Sequence, residues 1–139
     1  MKQLIPIAAA LALFGFGALA VHAQESPSSA DSASIFAAMT PDSNGTVASK
    51  IMHASAGDVL ALEIGRLPKQ VYTKQDDLLY IVSGSGIASV GYPTFALKPG
   101  SVISVPRNTA FEIKSTGSGP IRAILIASPH DNPDDKRVL

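Results

Sequence analysis

The sequence predicts an all-β barrel or sandwich preceded by one short helix, and three observations carry that reading. Turn chemistry recurs at short intervals, at Gly57-Asp58, Gly84, Gly91, Pro99-Gly100 and Gly117-Ser118-Gly119-Pro120. Between these turns lie runs rich in Val, Ile, Leu and Tyr. Beyond one short stretch near residue 35 there is no helical period and no repeat of solenoid length, so β-layers must supply the core.

Residues 1–23 read as an export signal. Lys2 is the positive start, Leu4 to Ala20 form an Ala/Leu-rich apolar run, and Val21-His22-Ala23 offers small residues at a cleavage site. The expected mature chain begins near Gln24 and is periplasmic or secreted, with no stable membrane anchoring after cleavage. Residues 24–46 follow as a flexible segment, Ser/Ala/Asp/Pro-rich at first. It contains a short helix from Ser34 to Met39 that Ser32 or Ser34 would cap, ended by Pro41 and Asn44-Gly45. Residues 47–129 form the barrel domain. Its expected strand runs are Val47 to Ala54, Val59 to Leu67, Leu78 to Val82, Ile87 to Val90, Val102 to Val105, Phe111 to Lys114 and Ile121 to Ala127. Leu60, Leu62 and Ile64 share one face of their strand, while Ala61, Glu63 and Gly65 share the other. Residues 130–139, rich in Asp, read as a solvated polar tail.

Composition narrows the function classes. Eleven basic and eleven acidic residues balance, and no Lys/Arg run carries interleaved aromatics, so nucleic acid is excluded as the expected partner. There is no cysteine. An exported chain without disulfides must be held by its own core, and about 115 residues can bury roughly two-thirds of their extended surface.

Two stretches carry a family likeness. DLLYIVSGSG, from Asp77 to Gly86, resembles the strand and turn of the first cupin motif, with Asp77 at the acidic position and Gly84 six intervening residues on. LKPGSVISVPRNTAF, from Leu97 to Phe111, resembles the second motif through Gly100 and Pro106, with Phe111 where that family places its last histidine. With Gly65 ahead of them, the motifs cover most of residues 57–129. The resemblance implies a small single-domain cupin barrel, a double-stranded β-helix or jelly roll, and a homodimer formed through an open edge strand such as Val47 to Ala54.

The same resemblance locates what has been lost. The histidine pair of the first motif falls on Val71 and Thr73 in one register, or on Gln70 and Tyr72 in the other. Neither set supplies imidazole, and Asp77 is one methylene shorter than the glutamate it replaces. No metal and no cofactor is expected in the barrel centre. Gln70, Tyr72, Asp77 and Phe111 are the expected ligand-binding residues, and an inward Asp77 would need a partner among Tyr72, Tyr80, Thr73, Lys74 and Arg122. His53 and Asp77 are the candidate catalytic pair of a metal-free acid/base enzyme, isomerase- or lyase-like, because imidazole titrates near neutrality. His130 belongs to the expected tail. The favoured function is an exported, metal-free binding module for a small, largely apolar ligand or a protein partner. The alternatives are that acid/base enzyme and an atypical metal-dependent cupin.

Overall fold

The structure is a computed structural model and describes residues 27–139; the proposed signal, its cleavage site and His22 lie outside them. The helix α1 spans Ser32–Ala38, and its cap is Asp31 rather than a serine: the Asp31 carboxylate accepts from the Ala33 and Ser34 backbone N–H groups. A carboxylate has two oxygens for the two free N–H groups, which a hydroxyl cannot match. One residue anchors the helix, Phe36, which is buried and lies under the Arg122 guanidinium at 5.5 Å. That contact explains why Ala61 and Glu63 are buried although they occupy the outer face of their strand. The helix packs on that strand, and Glu63 accepts from Arg122 Nε at 3.3 Å.

Ten strands follow: β1 (Val47–Ala54), β2 (Gly57–Ile64), β3 (Arg66–Val71), β4 (Asp76–Ser83), β5 (Gly86–Val90), β6 (Thr94–Leu97), β7 (Val102–Val105), β8 (Phe111–Ser115), β9 (Ile121–Ser128) and β10 (Arg137–Val138). They form two antiparallel five-stranded sheets, in the orders β1-β2-β9-β4-β7 and β10-β3-β8-β5-β6. The expected run Val59 to Leu67 is cut in two at Gly65, where the chain leaves the first sheet for the second. Gly65 N donates to Gly45 O and Arg66 N to Asn44 O, so the Asn44-Gly45 turn docks on this corner. A Cβ on Gly65 would lie 2.4 Å from Asn44 O, which leaves room for glycine alone.

Gly84, at φ 86°, makes the change of sheet between β4 and β5, after a register shift in β4 between Ile81 and Ser83. The Pro99-Gly100 turn has the expected type II signature: Gly100 sits at φ 89° and Ser101 N donates to Lys98 O. Pro106 directly follows β7, a sheet edge that loses nothing by a missing N–H.

The core forms between the sheets. Leu60, Leu62 and Ile64 of β2 meet Leu79 and Ile81 of β4, Ala88 and Val90 of β5, Ile103, Val105, Phe111 and Ile113, and Ile121, Ala123 and Leu125 of β9. Each fully buried aliphatic chain contributes about 1.5–3 kcal/mol. This hydrophobic gain is what stabilises a cysteine-free barrel.

The expected solvated tail is instead fastened to the barrel. Asp131 N donates to Asp58 Oδ2 and Asn132 N to Gln75 Oε1. The Asp135 carboxylate accepts from Thr73 N, Lys74 N and the Thr73 hydroxyl, and β10 pairs with β3. Composition pointed to solvent because Asp and Asn look solvated in sequence. Here they serve as hydrogen-bond partners for backbone N–H groups at one end of the barrel.

Candidate functional site

Asp58 of β2 and Asp77 of β4 both pair with Ala127 of β9, one from each side. They therefore stand in one cross-strand row and point to the same inner face, with Leu60 and Leu79 one step along. Asp58 is 1% and Asp77 is 4% exposed. Two carboxylates thus enter the same end of the barrel, and their surroundings differ.

Asp77 opens on a cavity of about 230 Å³ whose lining includes Leu62, Gln70, Tyr72, Asp77, Leu79, Phe111 and Leu125, with Asp42, Thr46 and Lys136 towards the mouth. Gln70 pairs with Phe111 across β3 and β8, so both come from the second sheet and face Asp77 on the first. The Tyr72 and Phe111 rings stack at 6.2 Å between centroids. All four sequence-derived ligand-binding candidates therefore line one cavity. Of the two registers for the lost histidines, the pair in the lining is Gln70 and Tyr72; Thr73 is held by Asp135.

The hydrogen-bond partner of Asp77 is Gln75, which was not among the five expected. Gln75 Nε2 donates to Asp77 Oδ1 at 2.7 Å, and Gln75 Oε1 accepts from the tail at Asn132 N. Tyr80 points outward and is 51% exposed, while Arg122 is taken by Glu63. Burial pushes the Asp77 carboxyl up to about 6. The Gln75 amide offsets part of this, and the negative charges of Asp131 and Asp76 add to it. Burial, then the nearby Asp77 charge, drives the Tyr72 phenol well above its ordinary range, which keeps it a hydroxyl donor.

The residues at the family's metal positions do not fit a metal. Phe111 has no donor atom, the Tyr72 phenol is held protonated, Gln70 offers a neutral amide, and Asp77 Oδ1 already accepts from Gln75.

His53 is not brought to Asp77. In the row His53–Asp58–Ala127–Asp77 the two are three strand spacings apart, roughly 14 Å along the sheet. His53 Nδ1 lies instead 2.6 Å from Asp58 Oδ1, and Lys50 Nζ lies 3.0 Å from Asp58 Oδ2. His130, expected in solvent, stacks on His53 at 4.9 Å with its Nδ1 3.5 Å from Asp58 Oδ1. Burial alone would raise the Asp58 carboxyl. Hydrogen bonds from Lys50, the Asp131 N–H and His53 outweigh it and hold Asp58 well below the carboxylate range. Sequence reasoning missed this cluster because its extremes, Lys50 and His130, lie 80 positions apart, and only the folded-back tail joins them.

A larger groove, about 390 Å³, runs between β6 and β7, bounded by Phe95, Leu97, Val102 and Ile103. Its lining has no ionisable side chain.

No protein-family model matches the sequence, and no curated protein matches it. Solved structures do. The chain is similar to Streptomyces PAC13 with uridine, at 18% identity over 70% of this chain and 80% of that one, with a TM-score of 0.61. Pac13 is described as a unique nucleoside dehydratase. An uncharacterized conserved protein with a double-stranded β-helix domain from Klebsiella pneumoniae is 14% identical over 82% of this chain and 97% of that one, with a TM-score of 0.64. The Schizosaccharomyces pombe Cnp3 cupin domain is 16% identical over 67% and 70%, with a TM-score of 0.59. At these identities the likeness establishes architecture alone. With its two five-stranded antiparallel sheets and the Gly84, Gly100 and Pro106 corners in place, this chain has the cupin fold.

Proposed function

We infer that the barrel cavity binds a small, largely apolar molecule through one polar group, in a domain exported by its amino-terminal signal. The supporting observation is the composition of the lining. Leu62, Leu79, Phe111 and Leu125 surround the cavity, and Gln70, Tyr72 and Asp77 converge on it. Apolar walls with a few aimed polar groups are the general form of small-molecule sites. A volume of about 230 Å³ admits a single-ring compound and excludes a dinucleotide. Tyr72 donates a hydrogen bond, and Asp77 accepts one when ionised or donates one when protonated.

The enzyme reading rests on one observation. A carboxyl at about 6, facing a cavity, is poised to exchange a proton near neutral pH. The similarity to a nucleoside dehydratase is compatible with that reading. In it Asp77 is the acid/base group and His53 has no part.

Benzyl alcohol and phenol are suitable probes, followed by amide and side-chain NMR shifts. Binding should perturb Tyr72, Asp77 and Phe111 together and be abolished in Phe111→Trp, which fills the cavity. Shifts scattered over the outer faces, or unchanged in Phe111→Trp, would overturn the proposal. Uridine turnover that disappears in Asp77→Asn while uridine binding persists would establish the enzyme reading instead.

A further inference from the structure

We propose that His53, Asp58 and His130 form a binding site for one divalent transition-metal ion of the zinc type, at the barrel end and outside the cavity. Donor atoms of the three residues lie within 4.8 Å of one another. The two oxygens of Asp58 divide their partners. Oδ2 accepts from Lys50 Nζ at 3.0 Å and from the Asp131 N–H at 2.9 Å, whereas Oδ1 faces the two imidazoles. One oxygen is thus fixed by the protein, and the other is presented to nitrogen donors, which is how supported carboxylate ligands are held.

His130 supplies the second, independent observation. Its Nδ1 is buried and, among the described residues, has no hydrogen-bond partner, although it points at Asp58 Oδ1 from 3.5 Å. A buried nitrogen left without a partner is costly, and a cation shared between it and the carboxylate removes the deficit. The spacing suits that ion. Zinc ligands at about 2.0–2.2 Å in tetrahedral geometry stand roughly 3.4 Å apart. The His130–Asp58 distance already matches. The His53–Asp58 distance of 2.6 Å must open by about 0.8 Å. The His53 side chain is 65% exposed on the edge strand β1, where it is free to make that adjustment. Three protein ligands leave one position for water.

Lys50 argues against the site electrostatically, but its side chain is 45% exposed and bound to the other oxygen, so it can move into solvent. The Asp58 carboxylate, held ionised over the whole neutral range, supplies the compensating charge. Because imidazole must be deprotonated to bind a metal, affinity should fall on acidification.

The test uses the full chain without a polyhistidine tag, with zinc and cobalt followed by calorimetry and, for cobalt, by visible absorption. One ion should bind per chain, with a chelator-reversible rise in Tm. His53→Gln and His130→Gln should each weaken binding at least tenfold, roughly the least that loss of a ligand costs. His22→Gln and Asp77→Asn should leave it unchanged, which separates this site from the amino-terminal segment and from the cavity. Absence of stoichiometric binding at millimolar metal, or equal binding by the His53→Gln/His130→Gln double variant, would overturn the proposal.

Discussion

Asp58 and Asp77 flank the same alanine, face the same interior and are almost equally shielded from water, yet they titrate in opposite directions. Asp58 has a lysine, an imidazole and a backbone N–H; Asp77 has one neutral amide and two acidic neighbours. The difference shows that burial sets only the cost of a charge, and the supply of partners decides whether it is kept. Asp58 is structural, tying β1, β2 and the tail together. Asp77 is held at a disadvantage, with the cavity in front of it.

Removing the satisfied member should have the larger effect. Asp58→Ala strips Lys50, His53 and the tail of their common anchor, and we expect a loss of about 2–4 kcal/mol in urea unfolding. Lys50 and His53 are near enough to the surface to rehydrate, which caps the loss. A loss below about 0.5 kcal/mol would remove the contrast between the two carboxylates.

Asp77→Asn should go the other way. The folded carboxyl, at about 6, lies above its ordinary 3.8, so the native state binds the extra proton between those values. Stability from this group is therefore complete below about pH 4 and lost as pH rises through 6. Asparagine keeps the oxygen that accepts from Gln75 and carries no charge. The variant should be more stable at pH 7.5, by on the order of 1–3 kcal/mol, and its Tm should lose the wild-type decline between pH 4 and 6. An unchanged Tm profile would contradict the assignment.

Gln75→Ala severs the link between Asp77 and Asn132, and we expect a cost of about 1–2 kcal/mol together with a further rise in the Asp77 titration point. Asp131→Asn is the mildest change. It keeps the backbone N–H that serves Asp58 and removes a negative charge near Asp77 and Tyr72, so both of their titrations should move downward. NMR-monitored titrations of both variants check these directions.

Much of the barrel was legible in the sequence because its corners depend on residue types with few substitutes. Gly84 and Gly100 adopt positive φ, and Pro106 follows an edge strand. Alternation along β2 separated its two faces, with Leu60, Leu62 and Ile64 on the one that meets the core. The break at Gly65 was not legible, since the apolar run continues across it and the Asn44-Gly45 turn that forces the corner lies 20 residues upstream. The cavity residues Gln70, Tyr72, Asp77 and Phe111 were reachable by position within the two motifs. Gln75 and Lys136 were not, because their roles depend on the tail. The tail was misread for the reason that makes it effective: its short polar side chains suit solvent and backbone N–H groups equally, and sequence does not distinguish the two.

The most direct measurement is a carbon-13 NMR titration of the Asp77 carboxyl in the intact protein. A midpoint near 6, at least two pH units above that of Asp58, is the predicted result. A midpoint at or below about 4 would mean that Asp77 is an ordinary solvated carboxylate. The barrel would then hold no poised group, and the proposed ligand site would lose its polar anchor.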